Sequence, residues 1–232
     1  MTEIAIQDFT IAQLRAMSSV IPGVGIFFDR LLANTYEDFV NVLYRDIDSV
    51  LNGFQENPEL LKEDGEDRLT SEIKRGLKLL GYIATHDEKI GGHSDLVVRG
   101  KKDNFLWIGE AKIHSGYDYL YQGFQQLTTR YATGDVNQDC GGMLIYIRNN
   151  DAASVIAAWR AHLAGKTLEG YSESNCAERP NFVFYSTHKH ERAGTPFKVK
   201  HIGVILGFDP KDRRPAKRKR AAKAKKSSSA SA

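Results

Sequence analysis

Apolar residues recur at helical spacing through the first third of the chain. In TIAQLRAMSSVI they occupy positions 11, 14, 17, 20 and 21, and in TYEDFVNVLYRDIDSVLNGF they occupy 39, 42, 43, 47, 50 and 51. Spacings of three and four residues place these side chains on one face of a helix. The sequence IPGVG separates the two segments and is predicted to be a turn. Asn52-Gly53 is predicted to end the second helix.

After residue 81 the spacing of apolar residues changes from that of a helix to that of β-strands. A third helix is predicted from Glu66 to Leu80, ended by Gly81. The segments YIATHDEKI, SDLVVRG and NFLWIGEAKIH that follow are short and rich in β-branched and aromatic residues, which is typical of a strand meander. A helix near 117–131, a strand GGMLIYIRN, a helix DAASVIAAWRAHLAG and the strands NFVFYST and FKVKHIGVILGF complete the pattern.

This order of elements predicts an α/β fold with a central mixed β-sheet flanked by helices. We expect three regions: a helical N-terminal extension over residues 1–60, the α/β core over 61–209 and a tail over 210–232. The tail is predicted to be disordered, because its Lys, Arg, Ala and Ser residues leave almost nothing to bury. The N-terminal helices are a candidate surface for homodimerisation or for a partner protein.

Charge is distributed unevenly along the chain. It has 32 Lys and Arg residues against 29 Asp and Glu, a net charge of +3. Ten of the basic residues and one acidic residue lie between Lys211 and Lys226, so the rest holds 22 basic and 28 acidic residues and has a net charge of −6. An acidic body with a basic tail differs from a protein whose folded surface forms a basic groove.

Cysteine usage and hydropathy favour a cytoplasmic protein with no membrane partner. Cys140 and Cys176 have no CxxC neighbour, so they indicate neither a disulfide framework nor a zinc site. No apolar run reaches the roughly 18 residues that a membrane helix needs. The N-terminus, MTEIAIQDFT, lacks the basic start of a secretory signal.

The segment FLWIGEAKIH combines an apolar strand with two charges, Glu110 and Lys112. Because an unpaired buried charge is strongly destabilising, the two either pair at an exposed strand end or have a third partner. With a period of two, Glu110, Lys112 and His114 share one face of the strand. The preceding strand opens with Asp95, and adjacent strands would bring Asp95 near Glu110. Since two close carboxylates repel and Mg²⁺ favours such oxygen ligands, we favour a metal as the third partner.

The combination SDLVV…FLWIGEAK resembles the signature of the PD-(D/E)xK nuclease superfamily, in which an acidic residue opens one strand and Glu-x-Lys lies on the next. Ser94 stands where the family name has proline. The resemblance implies a restriction-endonuclease-like core and hydrolysis of nucleic-acid phosphodiesters with Mg²⁺, for which Mn²⁺ can substitute. It implies that Asp95, Glu110 and the carbonyl of Ala111 bind the metal. Lys112 would then orient or activate the attacking water.

The resemblance extends over residues 66 to 147. Many members carry a Glu on the helix before the first strand, and Glu66 lies on the apolar stripe of its helix, so it points inward as a candidate auxiliary metal ligand. Glu72 lies off that stripe and is expected to be solvated. An acidic residue in a first helical turn is also good capping, which is the alternative role for Glu66.

Members also carry a helix with Gln and Tyr side chains after the Glu-x-Lys strand. Here Gln122, Gln126 and Arg130 share one helix face and are candidates for holding a phosphate or the attacking water. The spacing from Gln126 to Tyr131 is one residue longer than the Gln-x-x-x-Tyr of the helicase-nuclease branch. His114 is a candidate rim contact to nucleic acid rather than a ligand, because Mg²⁺ prefers oxygen.

The basic tail, DRRPAKRKRAAKAKK, has two interpretations. Lys217, Arg218, Lys219 and Arg220 are candidates for salt-dependent contacts to phosphate backbones, which suits a nuclease with an acidic body. Runs of this kind also resemble nuclear-import signals.

Together these features predict a Mg²⁺-dependent nuclease. DNA is the favoured substrate and endonucleolytic cutting the favoured mode, and analogy suggests a bacterial or phage defence or restriction component. The alternative is a nuclease-fold module that binds nucleic acid without turnover. The intact set of three charged residues argues against that alternative.

Overall fold

Helices and strands alternate after a helical N-terminal part. A computed structural model describes residues 10–102 and 104–212. Its α-helices are α1 (Ile11–Ala16), α2 (Val24–Leu32), α3 (Tyr36–Glu56), α4 (Glu66–Leu79), α5 (Tyr117–Gln125) and α6 (Ala152–Ala164), and a π-helix (Gln126–Tyr131) follows α5. Its strands are β1 (Ile83–Thr85), β2 (Glu88–Lys89), β3 (His93–Ser94), β4 (Leu96–Arg99), β5 (Leu106–Ile113), β6 (Cys140–Ile147), β7 (Ser172–Asn175), β8 (Val183–Lys189) and β9 (Pro196–Ile205).

Seven strands form one mixed β-sheet in the order β1-β4-β5-β6-β9-β8-β7. The three central strands, β5, β6 and β9, are parallel to one another. All other strand pairs of this sheet are antiparallel. Strands β2 and β3 form a separate two-stranded hairpin. The predicted α/β class with a mixed central sheet flanked by helices is confirmed.

Alternating side chains of the central strands build two cores, one on each face of the sheet. Trp107, Ala111 and Leu144 pack with helices α3 and α4, whereas Met143 and Ile145 pack with α5 and α6. Because successive strand residues point to opposite faces, Glu110 and Lys112 lie on the same side as Met143 and Ile145, with which they are paired. The sheet therefore lies between the side chain of Lys112 and helix α3.

Helix α3 is the main cover of the first core. A capping box between Thr35 and Asp38 starts the helix, and its buried residues include Leu43, Ile47 and Leu51. Residues 1–60 were predicted to be an extension of the core, yet α3 shares one hydrophobic cluster with α4 and the sheet. The predicted tail begins at residue 210, and its residues from 213 onward lie outside the described part of the chain.

Three local predictions were wrong or incomplete. Helix α3 continues through Asn52-Gly53 to Glu56, because Phe54 extends the apolar stripe into the core. Burial of a phenyl ring contributes about 1.5–3 kcal/mol, which outweighs the roughly 1 kcal/mol that a helical glycine costs. Helix α2 was not predicted, and neither was β7, whose sequence SESN is exposed throughout and has no apolar alternation to detect.

No helix within residues 10–102 and 104–212 combines the length and apolar character needed to span a membrane.

The packing of α3 predicts that Leu51→Ala lowers the free energy of unfolding by about 2–5 kcal/mol, because Leu51 is fully buried and its removal leaves a cavity. Leu79→Ala is the matched control, since Leu79 is also helical but is 81% exposed. Its effect should stay below about 0.5 kcal/mol. Urea unfolding of both variants measures the difference, and equal losses would contradict the assignment of α3 to the core.

Candidate active site

Three elements bring charged side chains together at the end of β5. Glu110 and Lys112 lie on β5, and Asp95 immediately precedes β4. Leu96 pairs with Gly109 in the antiparallel register, which places Asp95 beside Glu110. Glu66, the first residue of α4, completes the group.

The ammonium group of Lys112 lies among three carboxylates. Its Nζ atom is 2.6 Å from Oε1 of Glu110, 3.8 Å from Oδ2 of Asp95 and 3.9 Å from Oε2 of Glu66. It also donates a hydrogen bond of 3.1 Å to the carbonyl oxygen of Ala111. With all three carboxyl groups ionised, one ammonium leaves this cluster with two uncompensated negative charges.

Backbone N–H groups of β5 hold two of these carboxylates. The pairing of β4 with β5 stops at Gly109, so the later N–H groups on that edge have no strand partner there. Oδ2 of Asp95 accepts the N–H of Ala111 at 2.8 Å, and Oε1 of Glu66 accepts that of Ile113 at 2.7 Å. The two carboxylates thus take the place of a strand neighbour, which satisfies buried backbone donors and fixes their own positions.

Glu110 is the most deeply buried carboxyl group of the cluster, although it is also the one closest to Lys112. It is 1% exposed, and no described group makes a hydrogen bond to its Oε2 atom. Burial, and then the charge of Asp95, raise the pKa of Glu110 to about 7, although Lys112 opposes this. The pKa of Asp95 is also raised, mainly by burial. Both carboxyl groups would gain from a second cation nearby.

Lys112 is held as a cation. Burial lowers the pKa of its ammonium group, but the carboxylates of Glu110, Asp95 and Glu66 together outweigh burial and raise it. Its aliphatic stem packs on α5 at Gly123, where a Cβ atom would come within 2.9 Å of Cγ of Lys112. A glycine is therefore needed at this position for the lysine to reach the carboxylates.

The turn that precedes Asp95 contacts the π-helix after α5. Gly91 has a φ of +65°, and a Cβ atom there would overlap the carbonyl oxygen of Arg130. A Cβ atom at Gly92 would lie 2.8 Å from the ring of Tyr131. The two glycines therefore allow the hairpin of β2 and β3 to approach the π-helix closely, which brings this helix to the edge of the cluster.

The π-helix also changes which of its side chains lie in line with one another. A π-helix bonds residues five apart, so it aligns Gln126 with Tyr131 as an α-helix aligns residues four apart. Tyr131 is buried, and its pKa is raised by burial and then by the charges of Glu110 and Asp95. The π-helix thus compensates for the spacing from Gln126 to Tyr131, which is one residue longer than in Gln-x-x-x-Tyr. Oε1 of Gln126 is buried and has no hydrogen-bond partner among the described groups.

Other predicted site residues lie further out. Gln122 and Arg130 are exposed, and no hydrogen bond or ion pair of the described residues joins them to the carboxylates. His114 lies at the rim, with Nδ1 3.3 Å from Oδ1 of Asn149 and its ring 5.3 Å from that of Tyr117. The predicted backbone contacts of the tail fall outside the described residues: Lys217, Arg218, Lys219 and Arg220.

Tyr119 is a member of the cluster that sequence reasoning missed. Its hydroxyl group lies 3.0 and 3.2 Å from the two carboxylate oxygens of Glu66, and its ring centre is 5.7 Å from Nζ of Lys112. Burial and the charge of Glu66 raise the pKa of this phenol. The two residues are 53 positions apart in sequence, so no local pattern could have joined them.

The donor chemistry of the cluster fits a hard divalent cation. Asp95, Glu110, Glu66 and the carbonyl of Ala111 supply oxygen atoms only, which Mg²⁺ prefers. The unpartnered Oε2 atom of Glu110 and the two excess negative charges also favour the binding of a cation. As the described side chains stand, no three His, Cys, Asp or Glu residues already form a closed metal centre. The carboxylates surround the ammonium group of Lys112 instead.

No protein-family model matches the chain, and no curated protein or solved structure is significantly similar to it. The geometry of the cluster therefore carries the functional inference.

The raised pKa of Glu110 predicts a pH-dependent stability in the presence of EDTA. A carboxyl group whose folded pKa exceeds its unfolded value binds protons in the folded state, so stability falls as the pH rises from about 4.5 to about 7. Glu110→Gln should remove this loss. The free energy of unfolding of the variant, relative to the wild type, should increase by about 1–3 kcal/mol between pH 5 and pH 8. Urea unfolding at several pH values tests this, and parallel pH profiles would contradict it.

Proposed function

We propose that the protein is a metal-dependent nuclease of the PD-(D/E)xK type that hydrolyses phosphodiester bonds, with DNA as the favoured substrate. The observation that carries the proposal is the convergence of Asp95, Glu110 and Glu66 on Lys112 at the end of a buried strand. Helix α4 is followed by three strands of the main sheet (β1, β4 and β5), then by α5 and β6, with Asp95 immediately before β4 and Glu-Ala-Lys on β5, and this order supports a restriction-endonuclease-like core.

In this proposal Asp95, Glu110 and the carbonyl of Ala111 hold Mg²⁺ or Mn²⁺, and Glu66 is an auxiliary ligand or supports one. A bound divalent cation would lower the pKa of a coordinated water and offset negative charge on the phosphate. Backbone N–H groups of β5 orient the carboxylates of Glu66 and Asp95, and the hydroxyl group of Tyr119 also contacts Glu66.

Lys112 acts in this proposal as a cation rather than as a base. A lysine amine ordinarily keeps its proton at neutral pH, so Lys112 is a hydrogen-bond donor rather than a proton acceptor; the neighbouring carboxylates raise its pKa further. Its N–H groups can orient the attacking water and stabilise negative charge that develops on the phosphate oxygens. The unpartnered Oε1 atom of Gln126 can accept a hydrogen bond from the same water.

The alternative, a nuclease-fold module that binds nucleic acid without turnover, is less well supported. Three carboxylates with one ammonium repel a phosphate backbone, and burial of Glu110 and Asp95 disfavours their ionised forms. A module that only binds would gain affinity and stability by losing them. A role in phage defence or restriction stays a prediction by analogy.

Cleavage of supercoiled plasmid tests the proposal directly. The wild type should nick or linearise the plasmid with Mg²⁺ or Mn²⁺ but not with EDTA. Asp95→Asn should slow cleavage by at least about 100-fold, because it removes a ligand charge while it keeps the shape of the side chain. Asp87→Asn is the matched control, since Asp87 lies in the same loop region and pairs with His93 instead.

Two outcomes would contradict the nuclease. One is equal cleavage by the wild type and Asp95→Asn, which would place the activity elsewhere. The other is a wild type that is inert with both metals but retards DNA at low salt, which would favour the binding module. Thermal unfolding of both variants shows whether any loss is a folding defect.

Tyr119→Phe tests whether the phenol positions Glu66. The change keeps the ring beside Lys112 and removes only the hydroxyl contacts to Glu66. We expect the Mg²⁺ concentration for half-maximal cleavage to rise about five- to tenfold, which corresponds to roughly 1 kcal/mol, while the rate at saturating Mg²⁺ changes little. Tyr117→Phe is the control, because Tyr117 packs on His114. An unchanged Mg²⁺ dependence would exclude this role.

A further inference from the structure

A large cavity lies on the α3 side of the sheet, away from the candidate active site. Its volume is about 1080 Å³, at the upper end of the range of small-molecule sites. Helices α2 and α3, the segment 178–182 and strands β8 and β9 form its walls. Glu110, Met143 and His201 are paired across β5, β6 and β9, so their side chains share one face of the sheet. Lys200, which precedes His201 and lines the cavity, points to the opposite face. The sheet thus separates the cavity from Lys112.

In one part of the wall, the carboxylate of Asp48 forms ion pairs with both Lys200 and Arg179. Oδ2 of Asp48 lies 2.6 Å from Nζ of Lys200, and Oδ1 lies 3.0 Å from Nη1 of Arg179. Lys200 is only 2% exposed, and Asp48 is its one described hydrogen-bond acceptor. The group therefore carries one positive charge more than its carboxylate balances.

A second group on the same wall involves α2. Asp46 lies 2.6 Å from Nε of Arg30 and 3.7 Å from Nε of Arg45, and Arg45 also contacts Asp29. In all, the cavity is lined by four cations and three carboxylates: Arg30, Arg45, Arg179, Lys200, Asp46, Asp48 and Glu178. This net positive lining is unusual in a body whose residues up to 210 have a net charge of −6. It favours an anionic ligand.

Aromatic rings and uncharged polar groups complete the lining. The rings of Tyr44 and Tyr185 are 6.2 Å apart, with ammonium groups over them: Lys200 at 4.7 Å from Tyr44 and Lys198 at 5.0 Å from Tyr185. The polar face of α3 and the neighbouring loop add amide and hydroxyl groups: Asn41, Ser49, Asn52, Gln55 and Asn181. Such groups can both donate and accept hydrogen bonds.

Part of this network has a structural role. Arg179 also donates to the carbonyl oxygen of Gly203, and the side chain of Gln55 accepts the N–H of Ile205, so both tie α3 to the sheet. That role does not require an open cavity. At the exposed edge of α3, the amide of Asn52 and the guanidinium group of Arg45, which pairs with Asp29 and Asp46, also line the cavity.

We propose that this cavity binds a phosphorylated nucleoside. The exposed guanidinium group of Arg45 matches phosphate oxygens, the partly exposed ring of Tyr185 offers a surface for a planar base, and the amides can pair with the polar edge of that base. The site is independent of the proposed nuclease activity, because the two lie on opposite faces of the sheet.

Isothermal titration calorimetry with ADP, GDP, CDP and UDP tests the site. EDTA is present throughout and the titrations are repeated on Lys112→Met, so that binding at the candidate active site does not contribute. We expect at least one diphosphate to bind saturably at one site per chain. Arg45→Gln and Asn52→Glu should each weaken it about tenfold. Controls with equal charge changes are Arg75→Gln, whose side chain is 73% exposed on α4, and Gln125→Glu on α5.

Inorganic pyrophosphate and the parent nucleoside serve as further probes, and each should bind at least tenfold more weakly than the diphosphate. The site is overturned if none of the four diphosphates binds at millimolar concentration, or if the cavity variants bind as tightly as the controls. Pyrophosphate that binds as tightly as the diphosphate would overturn recognition of the nucleoside.

Discussion

The electrostatic balance around Lys112 is the constraint on which the candidate active site depends. Three carboxylates lie within 4 Å of one ammonium group, in a place where burial already disfavours charge. The ammonium group of Lys112 balances one of these charges, so two negative charges stay unbalanced when all three carboxyl groups are ionised. This imbalance is costly for a purely structural site, and it is what a divalent cation on a phosphate substrate would relieve. The cluster therefore has the electrostatics of a reactive site and not of a stabilising one.

The surrounding fold is arranged to hold this cluster. Strand β4 ends its pairing at Gly109, so free N–H groups of β5 bind the carboxylates of Asp95 and Glu66. Gly123 admits the lysine stem, and Gly91 and its neighbour let the β2–β3 hairpin approach the π-helix. Each feature is small, but together they fix the carboxylates before any ligand arrives, which reduces the reorganisation needed on binding. The opposite face of the sheet carries a positively lined cavity, so the two faces differ in charge as well as in packing.

Much of the fold could be predicted because its elements have regular apolar periods. The long helices and central strands follow from periods of 3.6 and two, which burial against a neighbour enforces. The predictions failed where that signal was weak or was overruled. β7 has four exposed polar residues and forms only because β8 offers it an edge. Phe54 carries α3 past a glycine because tertiary burial outweighs local propensity.

The sequence by itself determined that Asp95 opens a strand, that Glu110 and Lys112 share the face of the next, and that Glu66 points inward from its helix. These are local facts of periodicity. Only the tertiary structure decided that Tyr119 contacts Glu66 and that a π-helix aligns Tyr131 with Gln126. These contacts depend on how α5 packs across β5 and on π-helical hydrogen bonds that span five residues instead of four. Neither feature is encoded in any short stretch of the chain.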